Sequence, residues 1–466
     1  MKSTNPQISL RFQAGTIAVS GLGDDIGSRI QVLVRDDKIP GYRGHAYYYR
    51  RIVSHLYNQR LIYDDQVRKY HNLKFSATDK HFVPFEYQEE ALAEWAKAKW
   101  GTVVLPTGSG KSILAGMAIR ELAKSAIVIV PTIDLLFQWK KNLMDFLGTE
   151  IGVLGGGENQ ILDITVSTYD SAGIYANTIG NRFCLTVFDE CHHLPSPANA
   201  HMARAFIAPY RLGLTATPTE ETDPNFEHLA DLTGRIVYRK EIQELAGSHL
   251  SPYEIRTINV NLNQQERDLY ERERGKYLDY KKKLVGWGAL NPDRWEDFVI
   301  LAGRTEEGRA ALKSFHAQKH ISVSAEGKFE ALKNIMLEHS DDKILVFTHD
   351  NHTAYLISAT FFLPLITHET VSKERKKILS RFRSGEWPYL VSSRVLNEGV
   401  DMPDANVAVI VSGTGTVREH VQRLGRILRK KTGKKAYLYE LITTETGEVY
   451  TSQRRRMHSA YNPLKY

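Results

Sequence analysis

Thr102-Val103-Val104-Leu105-Pro106-Thr107-Gly108-Ser109-Gly110-Lys111-Ser112 passes from an apolar, strand-like run into a glycine-rich turn that closes on Gly-Lys-Ser. Glycines let backbone N–H groups curl around a phosphate, and a helix starting at the end of the turn adds the partial positive charge of its N-terminus. In such a loop Thr107, Gly108, Ser109 and Gly110 supply the cradle. Lys111 reaches the outer phosphates, and the Ser112 hydroxyl is placed to ligate Mg²⁺. The strict pattern has a further glycine five residues before Gly110, where this chain has Leu105. The expected cofactors are therefore ATP and Mg²⁺.

Downstream, Leu185-Thr186-Val187-Phe188-Asp189-Glu190-Cys191-His192-His193 reads as a buried strand ending in two acids. Phosphoryl transfer needs positioning and charge neutralisation more than covalent help, and an acid at a strand tip can hold the metal. Asp189 fits that role. Glu190 is the candidate to orient and deprotonate an attacking water, which predicts a hydrolase rather than a kinase. Cys184, Cys191, His192 and His193 cluster here, but no second ligand pair at finger-like spacing follows, so a zinc site is not expected.

A third element, Gln422-Arg423-Leu424-Gly425-Arg426-Ile427-Leu428-Arg429, follows the apolar run Val407-Ala408-Val409-Ile410-Val411. Arginines so far along the chain from the glycine-rich loop would act on a nucleotide only if a second lobe closed onto the first, as arginine fingers do. The competing reading is a solvated basic helix.

Together these residues resemble the superfamily 2 helicases and translocases, in which two RecA-like lobes hold ATP between them. Further stretches carry the resemblance: Phe85-Glu86-Tyr87-Gln88, Val130-Pro131-Thr132 with Gln138-Trp139, Ser167-Thr168-Tyr169-Asp170, Gly213-Leu214-Thr215-Ala216-Thr217-Pro218, Ile344-Leu345-Val346-Phe347-Thr348, and Leu396-Asn397-Glu398-Gly399-Val400-Asp401-Met402-Pro403. The resemblance implies an adenine-reading role for Gln88 and nucleotide contacts from Gly399 and Asp401. It implies catalytic roles for Lys111, Asp189, Glu190, Gln422, Arg426 and Arg429, and nucleic-acid contacts from Thr132, Gln138, Thr168, Tyr169, Thr215 and Thr217.

Within the superfamily the wording is closest to XPB-type members, through Asp189-Glu190-Cys191-His192-His193-Leu194-Pro195, Asp404-Ala405-Asn406-Val407 and Leu438-Tyr439-Glu440-Leu441-Ile442. RNA helicases of the DEAD-box type fit less well, since this chain has Cys191-His192 after the acids and Gln422-Arg423 opening its last motif. Two departures carry consequences. Glu220-Glu221-Thr222 stands where XPB-type proteins have Arg-Glu-Asp, and an acidic stretch repels phosphate, so weaker strand separation is expected. Phe85 replaces a customary arginine and either stacks on adenine or packs in the core.

Composition agrees with this assignment. The 466 residues are 42% hydrophobic and 25% charged, which suits a globular chain long enough for two such lobes and accessory modules. The formal net charge of +7 favours a polyanionic partner. No apolar run approaches a membrane span, and the polar start Met1-Lys2-Ser3-Thr4-Asn5-Pro6 lacks a signal-peptide core, so a cytoplasmic protein is expected. The two cysteines form no disulfide framework and read as buried thiols.

The expected organisation is α/β with two RecA-like lobes, each a parallel sheet with helices on both faces. A small N-terminal α+β module occupies 1–80, lobe 1 occupies 81–250, and lobe 2 occupies 251–466 with a thumb-like helical insertion near 264–320. Ser248 to Val260 reads as the crossing between lobes. In the N-terminal module, Tyr42-Arg43-Gly44-His45-Ala46-Tyr47-Tyr48-Tyr49-Arg50-Arg51 is either a stacking and phosphate-gripping surface or a helix that buries its tyrosines and solvates its arginines. Lys281, Lys282 and Lys283 are either DNA-gripping residues of the thumb or a solvated helix end.

The resemblance implies ATP-dependent translocation or unwinding of DNA, whether single-stranded, duplex or forked, in repair or transcription-linked processing. Three alternatives stay open: a duplex translocase or motor of a nuclease complex, an RNA helicase, and an ATP-gated clamp. No nuclease-like cluster is legible in the sequence, so cutting would need a partner protein, and no membrane partner is expected.

Overall fold

The computed structural model describes residues 8–75, 82–219, 221–286, 294–393, 405–413 and 435–456. The chain forms one compact unit up to Glu244 and a second from Leu245.

The first unit opens with strands β1 (Ile8–Gln13), β2 (Thr16–Ser20), β3 (Val34–Asp36), β4 (Gly41–His45) and β5 (Tyr63–Asp65), in the order β3-β4-β2-β1-β5. Ala14 and Gly15 have φ of 47° and 73°, the paired positive values of a two-residue hairpin, which join β1 to its antiparallel neighbour β2. Helix Tyr49–Asn58 buries Tyr49, Ile52 and Leu56 at helical spacing against this sheet, with Leu10, Ile17 and Val19 in the same core. Arg50 and Arg51 face solvent while Tyr42, Tyr47 and Tyr49 are buried. Of the two readings of this stretch, the structure takes the one in which the tyrosines serve the core.

The module is fastened to the sheet that follows. Tyr47 donates its hydroxyl to Asp231 Oδ1 at 2.8 Å, and the wholly buried Arg211 guanidinium lies 4.8 Å from the Tyr47 ring centre and 5.1 Å from that of Trp100. Arg211 donates from its two terminal nitrogens to the carbonyls of Ala203, Phe206 and Leu232 at 2.8–3.0 Å, while its Nε is buried without a partner among the described residues. Burial lowers its pKa to about 10.

Strands β6 (Trp100–Val104), β7 (Ala126–Val130), β8 (Gly152–Gly155), β9 (Glu158–Gln160), β10 (Ile164–Thr168), β11 (Leu185–Asp189), β12 (Tyr210–Thr215) and β13 (Ile236–Arg239) form one sheet. Their order is β13-β6-β12-β11-β7-β10-β8-β9, parallel except for the β8–β9 hairpin. Every residue of β7, β10 and β11 is buried, as expected where helices cover both faces. The register places Thr215 opposite Val104 and Leu214 opposite Asp189, so the ends of β6, β12 and β11 lie side by side at the carboxyl edge. That edge is where an open α/β sheet binds its ligand.

The second unit is a parallel sheet of β14 (Tyr253–Val260), β15 (Ile344–Thr348), β16 (Leu365–Ile366), β17 (Tyr389–Ser393), β18 (Val407–Ile410) and β19 (Ala436–Thr443), ordered β14-β19-β18-β15-β17-β16. Tyr253–Val260, expected within the crossing between lobes, is an edge strand paired with β19 along its whole length. Its content of Tyr, Ile, Thr and Val, residues that favour extended backbone, suits an edge strand better than a linker. Helices Gln264–Gly286, Trp295–Gly303 and Glu306–Val323 interrupt the α/β rhythm where an insertion was expected, with a core of Tyr277, Tyr280, Leu284, Phe298 and Ala311. Among the described residues no helix is long and apolar enough to cross a membrane.

Candidate nucleotide site

The apolar strand β6 delivers the glycine-rich turn to the sheet edge, and helix Lys111–Leu122 begins directly after it. Gly108 and Gly110 adopt φ of 87° and 82°, a region that costs other residues strain. Space is also tight at 110, where a Cβ would lie 2.6 Å from Gln88 Nε2 and would push that amide off the Ser109 carbonyl. Ser109 Oγ donates to the Pro106 carbonyl at 2.7 Å and closes the turn on itself. Lys111 Nζ donates to the Leu105 and Pro106 carbonyls at 3.3 and 3.4 Å, and the Thr107 hydroxyl oxygen is buried without a partner among the described residues.

Gln88 is almost wholly buried against the loop. Its Oε1 accepts from Phe85 N at 3.0 Å and its Nε2 donates to the Ser109 carbonyl at 3.0 Å, while the Tyr87 hydroxyl donates to the same carbonyl at 2.6 Å. Phe85 does not pack in the core. It is 45% exposed, and its ring stacks on Tyr87 with centroids 5.7 Å apart.

At the tip of β11, Asp189 is 4% exposed. Its Oδ2 accepts the indole N–H of Trp139 at 2.9 Å, and its Oδ1 is buried without a partner among the described residues. Burial, reinforced by the neighbouring Glu190 charge and opposed by Lys111, raises its pKa to about 7. A buried carboxylate oxygen with nothing to bond, facing the charge of Lys111, is the environment a divalent cation would relieve. Ser112 Oγ accepts Asn142 Nδ2 at 3.1 Å and keeps a second lone pair. The residues present therefore fit Mg²⁺ and a nucleotide phosphate chain.

Glu190 sits at φ 49° and ψ 51°, a left-handed conformation uncommon for a residue with a side chain and frequent at functional sites. It breaks the strand and starts the short turn Cys191–His193. Glu190 Oε2 lies 3.4 Å from Thr215 Oγ1 and 3.5 Å from His192 Nδ1, and Thr215 Oγ1 accepts Thr217 N at 3.1 Å. Cys184 and Cys191 are buried free thiols, and burial pushes Cys184 up to about 11 and Cys191 higher still.

Two of the residues expected along a nucleic-acid path, Tyr169 and Thr215, turn inward. Tyr169 is in the lobe 1 core with its hydroxyl donating to the Asp189 carbonyl at 3.0 Å, because the helix it begins turns that face toward the sheet. Thr215 is wholly buried in the Glu190 network. Thr132 and Thr168 are helix N-caps, accepting from Leu135 N at 3.4 Å and Ser171 N at 3.2 Å. Thr217 is 7% exposed and Gln138 half-buried. Lys281 is half-buried, Lys282 exposed, and Lys283 ion-paired with Glu307, all at the end of the first insertion helix. Gly399, Asp401, Gln422, Arg426 and Arg429 lie outside the described residues, as does Glu220. Trp139, which stands beside Gln138 in the motif that carries the resemblance, is bonded to Asp189. Its burial follows from the spacing of Leu136, Trp139, Leu143 and Leu147 on one helix face, whereas its partner has no sequence signal.

Comparison with known proteins bears on the whole chain. It is 41% identical over 420 residues to "DNA 3'-5' translocase XPB2" of Sulfurisphaera tokodaii, covering 90% of this chain and 94% of that one. The chain belongs to the XPB family of superfamily 2 helicases. Three family profiles agree with this: "Xeroderma pigmentosum group B helicase damage recognition domain" over 10–67, "Type III restriction enzyme, res subunit" over 81–220 and "ERCC3/RAD25/XPB C-terminal helicase" over 310–460. "DNA 3'-5' helicase XPB" of Mycobacterium tuberculosis is 28% identical over 391 residues, 80% of this chain and 63% of that one. The helicase domain of Pyrococcus furiosus Hef shares the fold at a TM-score of 0.57 and 22% identity, covering 80% of this chain and 98% of that one.

Proposed function

We propose that this XPB-family chain is an ATP-dependent DNA translocase and helicase that moves in the 3'-5' direction, the direction in the names of its relatives. The single observation that carries the ATP chemistry is the juxtaposition, at one sheet edge, of the Gly-Lys-Ser turn with the buried, partnerless Asp189 Oδ1. When bound, Mg·ATP supplies the phosphoanhydride bond whose hydrolysis drives the cycle. Lys111 and the loop N–H groups hold the phosphates, and Gln88 braces the loop from behind. Ser112 and Asp189 hold Mg²⁺, and Glu190 orients the attacking water and takes its proton. The roles of Gln422, Arg426, Arg429, Gly399 and Asp401 rest on the family resemblance.

The DNA-contacting surface is part of the proposal. Lys282, exposed on the insertion, is retained as a phosphate contact, and Thr132, Gln138 and Thr217 as residues near the track. A repair or transcription assembly as partner is suggested by "General transcription and DNA repair factor IIH helicase/translocase subunit XPB" of Schizosaccharomyces pombe, 24% identical over 398 residues. A nuclease partner follows from the resemblance alone. A second reading, translocation on duplex DNA with little unwinding, is favoured by the sequence, in which Glu220 takes the place of the arginine of the Arg-Glu-Asp triplet and Asp223 follows the triplet, so that acids stand where a phosphate-holding arginine would serve strand separation.

Steady-state ATPase rates with single-stranded, duplex and forked DNA and with RNA test the assignment. Strong stimulation by DNA and little by RNA is the expected result; RNA stimulation equal to or above that of DNA would overturn it. Strand displacement from 3'-tailed and 5'-tailed duplexes then separates unwinding from translocation and reads the direction.

A further inference from the structure

Helix Ile133–Leu147 reaches the proposed metal site at two points. Trp139 and Asn142 are three residues apart, so their side chains leave the helix on neighbouring lines. The Trp139 indole N–H takes Asp189 Oδ2 at 2.9 Å, and the Asn142 amide takes Ser112 Oγ at 3.1 Å. The residues so gripped are the two proposed protein ligands of Mg²⁺, one from the tip of β11 and one from the glycine-rich turn. Trp139 is 3% and Asp189 4% exposed, so water cannot replace the indole donor once it is lost.

Each bond leaves its acceptor one direction to offer. With Oδ2 engaged by the indole, Oδ1 is the oxygen left without a partner among the described residues. With one Ser112 lone pair committed to Asn142, the hydroxyl is no longer a free rotor. Groups behind a metal's ligands set ligand orientation in this way, and removing one typically weakens metal binding 10- to 100-fold.

We infer that Trp139 and Asn142 are positioning residues for the nucleotide-bound cation, a paired brace from one helix that sets the geometry of Asp189 and Ser112. The inference rests on the proposed nucleotide site. It gives Trp139 a role at the metal, distinct from the nucleic-acid contact expected of its neighbour Gln138, and it gives Asn142 a role that no motif carries.

The test measures binding of a fluorescent ADP analogue by the full chain, from EDTA through a Mg²⁺ titration, together with Mn²⁺ electron paramagnetic resonance of the nucleotide complex. Trp139→Phe keeps an aromatic ring, smaller than the indole, and removes the donor; Asn142→Leu keeps the approximate shape and removes the amide. Each should raise the Mg²⁺ concentration for half-maximal effect about tenfold or more and alter the Mn²⁺ spectrum, while affinity in EDTA stays unchanged. Mg²⁺ dependence identical to that of the unmodified chain would overturn the inference, and so would an equal loss of affinity with and without Mg²⁺, the mark of a packing role. Should Trp139→Phe fail to fold, the half-buried Asn142→Leu carries the same comparison. Absence of any Mg²⁺ dependence in the unmodified chain would sink the site reading itself, and the inference with it.

Discussion

His192 Nδ1 lies 3.1 Å from Thr215 Oγ1, joining the turn after β11 to the end of β12. Thr215 Oγ1 is also the atom nearest Glu190 Oε2 among the bonds described above, so one hydroxyl holds together the proposed water-orienting acid, a buried histidine and the Thr217 backbone. Thr215→Val keeps the shape and removes that hydroxyl. ATPase kcat should fall about tenfold with KM for ATP changed less than about twofold, since the lost interaction aligns the reaction rather than binding the nucleotide. Steady-state kinetics check this.

Lys111→Ala and Glu190→Gln should separate binding from chemistry. Lys111→Ala removes the ammonium that meets the phosphates, so fluorescent-nucleotide affinity should drop by at least about tenfold. Glu190→Gln keeps a side chain of the same size without its basicity. Nucleotide affinity should stay near the unmodified value while turnover falls by about 10²-fold or more.

Gly110→Ala meets two obstacles at once, a φ of 82° and a Cβ 2.6 Å from Gln88 Nε2. Strain of about 1–2 kcal/mol in the loop follows from the backbone alone. The expected result is a lower melting temperature and weaker nucleotide binding, read by calorimetry and by titration of the same variant.

Asp189 gives a pH signature in the absence of nucleotide. Burial and the Glu190 charge raise its folded-state pKa from 3.8 to about 7, so the folded protein binds its proton more tightly than the unfolded chain does. Stability from this group is fully present below the unfolded value and is lost as pH rises toward and through about 7. Asp189→Asn removes that dependence. Its melting temperature should exceed that of the unmodified protein at pH 8 and converge on it as pH falls toward the unfolded value of 3.8, while ATPase activity is lost at every pH.

Tyr47→Phe removes the hydroxyl bonded to Asp231 and keeps the ring under Arg211. A loss of about 1 kcal/mol is expected. Arg211→Met should cost more, because the carbonyls of Ala203, Phe206 and Leu232 lose a charged donor together. Denaturant unfolding and protease sensitivity near residue 70 measure both.

The fold was legible where one physical requirement writes a local pattern. Ala126–Val130 is apolar throughout because both faces of a parallel sheet are covered, and Gly108-Ser109-Gly110 combines a need for positive φ with a need for close backbone approach. Gln264–Gly286 was readable as a long charged helix, and the following helices lie where an insertion was expected. Tyr253–Val260 reads as a crossing in sequence because an edge strand of eight residues next to a proline has little to distinguish it from a linker until its partner β19 is known. Residues whose role is a long-range bond were the least legible. Trp139 and Asp189 are brought together across fifty positions of sequence, and Tyr169 and Thr215 share polar surfaces with residues that would meet a nucleic acid, yet both turn inward. Motif position told where these residues stand along the chain, and only the packing told which way they face.

The anchoring of the N-terminal module through Tyr47, Arg211 and Trp100 has a consequence for what that module can sense. Of these groups only Tyr47 comes from the module: its hydroxyl is bonded to Asp231 and its ring lies 4.8 Å from the buried Arg211 guanidinium, which lobe 1 holds through three of its own carbonyls. The exposed Arg50 and Arg51 therefore belong to the same compact unit as the glycine-rich turn. Whatever those arginines meet is met beside the lobe in which ATP is proposed to be spent.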